Sequence, residues 1–432
     1  VSFDGLTRPT LTLRSSKQNK IHCDLSIASI CKLGSPSLVN PIRLRTGEEN
    51  MSYEKHHRWA HQLPDELWEI IKSHLDSRLD VYRWRAVCRS WRSFLPLSHL
   101  QACLSPLHLP PLLSSDHSSS PSSSYLFPFT ICRLEPINPS PASPTLACLT
   151  RVEESIRGDM QLLIPLSNQD LKKPSQRRLD MTDFRLVQLG KSYSLKSPSG
   201  SPVNGISKTL VLRTGVESDV GLEILCLFRE GKLGFWRCGD PEWTQIDQGN
   251  SRYDDVILHK EQIYVVDRKG IVWWMNSNSL ELIMYSPPLY LGGQRKKLVE
   301  SEGHLHVVDL YLGEYKRVTD MRVYELDEEW GTWVHVPCLG DRLFVLGKDY
   351  CFSASAIGLS GWPVRNCIFF TDSYDEDRAT GGVRGYHTRV FRLDDRRTQM
   401  VAHFTDHICT FSPPPGWLSS QRKSNLLDVN CS

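Results

Sequence analysis

Two stretches of this chain, "VILHKEQIYVVD" (256–267) and "LVESEGHLHVVD" (298–309), superpose without a gap, Ile263 falling on Leu305 and Asp267 on Asp309. Each is an apolar run, a short polar turn and an alternating apolar run. Period-2 alternation on both sides of a turn is what a half-buried antiparallel strand pair requires. Looser copies are "CLFREGKLGFWR" (226–237) and "VPCLGDRLFVLG" (336–347), so the four start 30, 42 and 38 residues apart. Tryptophans follow at similar offsets: Trp243, Trp273 and Trp274, then Trp330 and Trp333. A repeat of about 40–50 residues with four short strands is the mark of a propeller blade. A β-sandwich is the alternative, and the uneven spacing is what keeps it open. Further strands are expected at "TLACLTRVEES", "DMQLLIPL", "DFRLVQLGKSYSL" and "KTLVLRTG" before the repeats, and at "NCIFFTDS" and "TRVFRLDD" after them. The proline-rich "FSPPPGWL" (411–418) suits an edge position or a strap over the last blade rather than a central strand.

A chain of 432 residues has room for two or three domains. Its net charge of +2 supplies no bulk attraction to nucleic acid or membrane. No apolar run nears the roughly 18 residues that cross a bilayer. Thirteen scattered cysteines with no C-x-x-C pair point to a reduced compartment, nucleus and/or cytoplasm. Residues 1–55 read as a disordered or extraneous tail: 1–50 are rich in Ser, Arg and Lys and poor in acids, and the first methionine is Met51. A transit peptide is the other reading of that segment. Residues 105–144 are dominated by Ser and Pro and read as a linker. The all-β domain is expected over 145–418, with a C-terminal tail at 419–432.

Between tail and linker, residues 56–104 carry a different pattern. In "QLPDELWEIIKSHLDSRLDVYRWRAVCRSWRSF" (62–94), Pro64 suits a first helical turn, and Asp65 and Glu66 favour its positive end. Leu67, Ile70, Ile71 and Leu75 then share one face at helical spacing. Asp80 can cap a second helix, on which Trp84, Val87, Cys88, Trp91 and Leu95 make another stripe. Helices this short bury too little to fold firmly alone. Each large apolar side chain left in water forgoes roughly 1.5–3 kcal/mol. A partner's helices are the expected cover.

This stretch resembles an F-box, the module by which substrate receptors bind the Skp-type adaptor of cullin-based ubiquitin ligases. Leu63-Pro64, Leu67, Ile70, Leu75 and the Val87-Cys88-x-x-Trp91 ending carry the resemblance. It implies that these eight residues form the adaptor-binding surface. The rest of the chain is similar to the C-terminal domain of a large plant family of F-box proteins, a kelch-like or KIB-type β-propeller. "TRVEES…MQLLIPLS", "LDMTDFRLVQLGKSYSL", "VESEGHLHVVD", "NCIFFTDS" and "PPPGWL" are the matching stretches. "ACLTRVEE" departs where the family more often has Gly-Trp, and the Gly-rich "RATGGVRG" (378–385) departs before "TRVFRL".

No G-x-S-x-G elbow, P-loop, G-x-G-x-x-G or H-E-x-x-H occurs. His57 and His61 sit among basic residues and read as solvated. His403, His407 and Cys409 lack a fourth ligand for zinc. The acidic run 371–378 lacks the glycine and distal glutamate of an EF-hand loop. "QRRLD" and "GQRKKL" read as surface charge. The expectation is a multidomain, non-enzymatic ubiquitin-ligase subunit without cofactor or metal: a small all-α F-box, then an all-β propeller. The F-box would meet a Skp-type adaptor and, through it, a cullin scaffold; the propeller would hold an unknown target protein. An F-box protein that does not promote ubiquitylation, or a propeller enzyme, are the alternatives.

Overall fold

The computed structural model describes residues 67–68, 81, 84–85, 89–94, 107–112, 123–137, 147–154, 160–166, 177–179, 184–214, 221–246, 252–290, 292–329, 331–359, 365–373, 386–401, 408–411 and 418–420. The two gap-free repeats are the inner halves of two four-stranded sheets. One runs Tyr253–His259, Gln262–Asp267, Val272–Asn276, Glu281–Met284 (blade III). The other runs Arg295–Ser301, His304–Leu312, Val318–Asp327, Thr332–Val336 (blade IV). All strand pairs within them are antiparallel, as short polar turns between alternating strands demand.

The longest sheet resolves into two further blades. Ile206–Thr214, Gly221–Phe228, Leu233–Arg237 and Thr244–Ile246 form blade II; Phe184–Lys196, Ser124–Pro136, Cys148–Glu154 and Met160–Leu163 form blade I. Among the described residues, their strands pair with each other only at Tyr193↔Thr209. Blade V is ordered Cys351–Ser355, Arg342–Leu346, Cys367–Ser373, Tyr386–Arg392, Arg397–Met400, and its second and third strands are parallel. The inner strands of the five adjoin in ring order, I to II to III to IV to V and back to I.

Five apolar cores, one at each seam, fix that count among the described residues. Leu126, Leu195 and Ile224 fill seam I–II. Leu225, Phe235, Val256 and Ile263 fill II–III. Ile257, Val266, Leu298 and Val307 fill III–IV, and Val299, Val308, Phe344 and Phe370 fill IV–V. Phe129, Leu149, Val345 and Phe369 close V onto I. Alternation makes this possible: successive residues of an inner strand, such as Val256 and Ile257 or Leu298 and Val299, enter the seams on opposite sides of their blade.

Three sequence readings are corrected. The range 105–144, read as linker, contains the strands Leu107–Leu109 and Ser124–Pro136, and the latter is central in blade I. Its Leu126, Phe127, Phe129, Ile131, Cys132 and Leu134 are buried, an apolar stretch overshadowed by the adjoining serines. The copy at 336–347 is not a hairpin, because its first half ends the outer strand of blade IV and its second half is Arg342–Leu346 of blade V. The C-terminal tail begins inside a strand: Leu418–Ser420 pairs antiparallel with Arg177–Leu179.

Candidate functional site

In the N-terminal module, the described residues are helical and build their own aromatic core. Trp68 stacks on Phe94 at 4.4 Å between ring centroids and meets Trp84 and Trp91 edge-on at 5.4 and 5.5 Å. Trp84 lies 4.2 Å from Trp91 and donates its indole N–H to the Trp91 carbonyl at 3.0 Å. Arg85 and Arg92 each donate to the other's carbonyl at 3.1 Å, crossing the two helical segments. Of the eight residues expected at the adaptor surface, Leu67 is 42% exposed and Trp91 only 3%. Trp91 is thus turned inward among tryptophans rather than outward. Leu63, Pro64, Ile70, Leu75, Val87 and Cys88 lie outside the described residues. The sequence reading missed Trp68, which sits one position from the Leu67 stripe and faces the core.

The propeller's site is a cavity of about 380 Å³ on the ring axis, lined by inner strands of all five blades. Strand direction gives it two ends. At one end lie the hairpin tips Lys260-Glu261 and Glu302-Gly303, with Leu258, Glu300, Glu302 and Arg342 around the opening. At the other, a buried ion pair closes the axis. Lys208 of blade II reaches Asp255 of blade III at 3.0 Å. The same carboxylate accepts N–H groups from Val256 and from Leu298 of blade IV, each at 2.9 Å, and the Cys351 thiol of blade V at 3.9 Å. One side chain therefore ties four blades together. A bulge at Asp254 lets two successive aspartates be buried, and Asp254 accepts Arg295 at 2.8 Å and the Lys296 N–H at 3.0 Å.

Burial alone would push the Asp255 carboxyl up, but the Lys208 and Lys297 ammoniums and the Leu298 N–H hold it below the usual carboxylate range. Burial likewise opposes the Lys208 charge, and Asp255 reverses the effect, holding that ammonium above its ordinary value. Burial and then the Asp255 charge push the Cys351 thiol up to about 11; burial, then Glu300, pushes the Tyr350 hydroxyl up to about 12. Neither is a ready nucleophile or base at neutral pH. Sequence reasoning singled out none of these groups. The only written signal was the acid pair "DD" opening an otherwise apolar strand. Of the weighed metal candidates, His57, His61, His403 and His407 lie outside the described residues. Among the described ones, no three His, Cys, Asp or Glu side chains are grouped to hold a metal ion.

The model of the KIB1-4 beta-propeller family matches residues 145–394. F-box protein SKIP23 of Arabidopsis thaliana is 28% identical over 394 residues, covering 84% of this chain and 96% of the relative. F-box protein At2g17036 of the same plant is 28% identical over 399 residues, covering 85% and 96%. F-box protein At4g35733 is 27% identical over 362 residues, covering 78% and 92%. The chain belongs to the KIB1-4 beta-propeller family, as a plant F-box protein whose propeller follows its helical module.

Proposed function

We propose that this protein is the substrate-recognition subunit of a Skp/cullin/F-box-type ubiquitin ligase, working in the nucleus or cytoplasm. The helical module docks the Skp-type adaptor and the propeller holds the target. The observation that carries this reading is the joining of an F-box to a ring that is cross-linked at its axis by a buried ion pair and open at one end of its cavity. The Lys208–Asp255 pair braces the closed end, so the tips around Glu300 and Glu302 stand on a fixed frame. Such a receptor does no bond chemistry. It raises the effective concentration of a target lysine beside the ubiquitin-loaded arm. The high-lying Cys351 and Tyr350 suit a binding cavity better than an active site.

Leu67 is the residue to test, because its exposure leaves it free to be covered by a partner while the tryptophan core stands behind it. Leu67→Asp is expected to abolish co-purification with a Skp-type adaptor and leave the melting temperature within a degree or two of wild type. Wild-type complex supplied with cullin, ubiquitin-activating and ubiquitin-conjugating enzymes is expected to ubiquitylate captured protein. Adaptor binding that survives Leu67→Asp defeats the docking assignment. Binding without any ubiquitin transfer replaces the ligase by a purely regulatory F-box protein.

A further inference from the structure

The closed end of the ring is basic and carries two outstanding tyrosines, and we propose that this face, across blades II to IV, docks an acidic segment of the target protein. This rests on the receptor reading above and adds the chemical class of what the receptor holds. The chain's net charge of +2 hides a separation of charge between the two ends. At the open end, the turns of blades III and IV expose Glu261, Glu302, Glu328 and Glu329 against Lys260. At the closed end the sign reverses. The blade II turn and the strand start beside it expose Arg229, Lys232 and Arg252, with Glu230 as the acid. Blade III adds Arg268 and Lys269, and blade IV adds Arg295, Lys316 and Arg317 against Glu314. That is eight exposed cations to two exposed acids. Among the described residues, Arg229, Lys232, Arg252, Lys269 and Lys316 enter no ion pair, so most of this charge is left uncancelled.

The turns abut, so the charges form one surface. The Tyr253 N–H donates to the Gly231 carbonyl at 2.9 Å, and the Leu289 N–H to the Lys269 carbonyl at 3.0 Å. Arg268 and Arg295 converge on the buried Asp254 at 3.7 and 2.8 Å. Gln294 accepts the Leu312 N–H at 2.7 Å, which ties the connector after blade III to the closed-end turn of blade IV. Among these cations stand Tyr290 and Tyr315, 85% and 89% exposed, more than any other large apolar side chain described. Leu289, packed against Gly270, anchors the connector from which Tyr290 projects. Tyr315 and Lys316 both have φ of 57°, a left-handed conformation unfavourable to bulky side chains and one that marks binding turns more often than ordinary ones. Tyrosine and arginine are the side chains that carry protein interfaces, and a guanidinium fork matches a carboxylate. Asp254, Glu230 and Glu314 interrupt the strip. That suits carboxylates spaced along a protein segment better than the unbroken phosphates of a nucleic acid.

The experiment uses the full chain and fluorescein-labelled probes read by fluorescence anisotropy: Gly/Ser peptides carrying four glutamates or four lysines, and an oligothymidine of matching charge. The glutamate peptide is expected to bind most tightly and to weaken as salt rises. Lys269→Glu combined with Lys316→Glu is expected to weaken it about tenfold at low salt. Tyr290→Ser combined with Tyr315→Ser is expected to weaken it about fivefold with the salt dependence kept. Lys260→Glu, at the opposite end of the ring, is expected to leave it within about twofold of wild type. All of these side chains are exposed, and each variant's melting curve and adaptor co-purification are measured alongside. Where the charge-reversed chain melts early, Lys269→Gln combined with Lys316→Gln carries the same test. A glutamate peptide that binds no better than the lysine peptide overturns the proposal. So does an undiminished affinity in either folded double variant, or an equal loss in Lys260→Glu. Oligothymidine bound as tightly as the glutamate peptide overturns it in favour of nucleic acid. If the glutamate peptide is selective but wild-type chain brings down no adaptor, the face stands as an acidic-segment site and the ligase reading falls instead.

Discussion

His306 shows how one buried titratable ring sets the response of the fold to acid. It lies in the second strand of blade IV, 6% exposed and edge-on to Phe344 of blade V at 5.5 Å. Burial, the largest influence, lowers its pKa, and the nearby His304 acts the same way. Glu325 at 3.7 Å, the His304 carbonyl at 3.2 Å and Glu302 work against that without reversing it. A histidine with a lowered folded pKa is protonated first in the unfolded chain. As pH falls through about 6.5 the unfolded state therefore gains the proton that the folded state resists, and stability drops. His306→Gln is expected to flatten the decline in melting temperature between pH 7 and pH 5.5; a decline as steep as wild type removes His306 as the cause. Gly190 makes a different kind of point at this scale. A Cβ there would collide with the Tyr350 ring, which packs across the seam from blade V to blade I, so only glycine admits that contact. Nothing in the local sequence announces the need, because the colliding partner is 160 residues away.

At the scale of the hairpin, blades III and IV solve the same turn differently. Lys260 and Glu261 both have positive φ, 48° and 62°, and so do Glu302 and Gly303, at 55° and 84°. Two positive-φ residues in a two-residue loop are the mirror-image turn whose twist suits a hairpin, and glycine is favoured there for want of a Cβ. Blade III makes the turn without glycine and holds strain of about 1 kcal/mol or more. Glu261→Gly is expected to raise unfolding free energy by about 1 kcal/mol, measured by urea titration with an unchanged slope. A neutral or destabilising result would mean that Glu261 contributes more by its side chain than its backbone costs. These two hairpins were legible because turn, alternation and apolar face coincide in one unbroken stretch. Blade V was not, because its inner strand Cys351–Ser355 follows rather than precedes the strand beside it. The same limit hid the axial pair, since Lys208 and Asp255 are neighbours only once the ring has closed. In the helical module the apolar stripe was legible, but which tryptophans turn inward depends on how the helices cross.

The whole molecule is a ring whose two ends must be held together, and seam V–I is where its charges gather. Arg151 of blade I pairs with Glu153 at 2.7 Å and with Asp349 at 2.8 Å, while its guanidinium lies 3.4 Å over the Phe129 ring. Lys196 also contacts Glu153. Ala147 donates its N–H to the Gly358 carbonyl at 2.9 Å, and Arg133 to the Ser355 carbonyl at 3.2 Å. Among the described residues, no strand of blade V comes from the blade I segment or the reverse, so closure rests on side chains and a few bridges. The segment after the last blade reinforces it. Phe411 is buried in the seam core, 5.0 Å edge-on to Phe369, and Leu418–Ser420 adds a strand to Arg177–Leu179, which lies between the blade I strands Met160–Leu163 and Phe184–Lys196 in the chain. Of the expected strap, residues 412–417 lie outside the described residues; Ile408–Phe411 and Leu418–Ser420, on either side of them, make a C-terminal clip through the seam core and the Arg177–Leu179 pairing. Removing residues 408–432 deletes a buried phenylalanine, which by itself costs about 3–5 kcal/mol in a core. It also leaves the edge of Arg177–Leu179 unpaired, a template for association between copies. The truncated chain is expected to melt well below wild type and to elute partly as oligomers in size exclusion, whereas removing only residues 421–432 changes neither. If the longer truncation stays monomeric with an unshifted melting temperature, the seam closes on Arg151, Tyr350 and their neighbours alone, and the C-terminal clip carries no share of it.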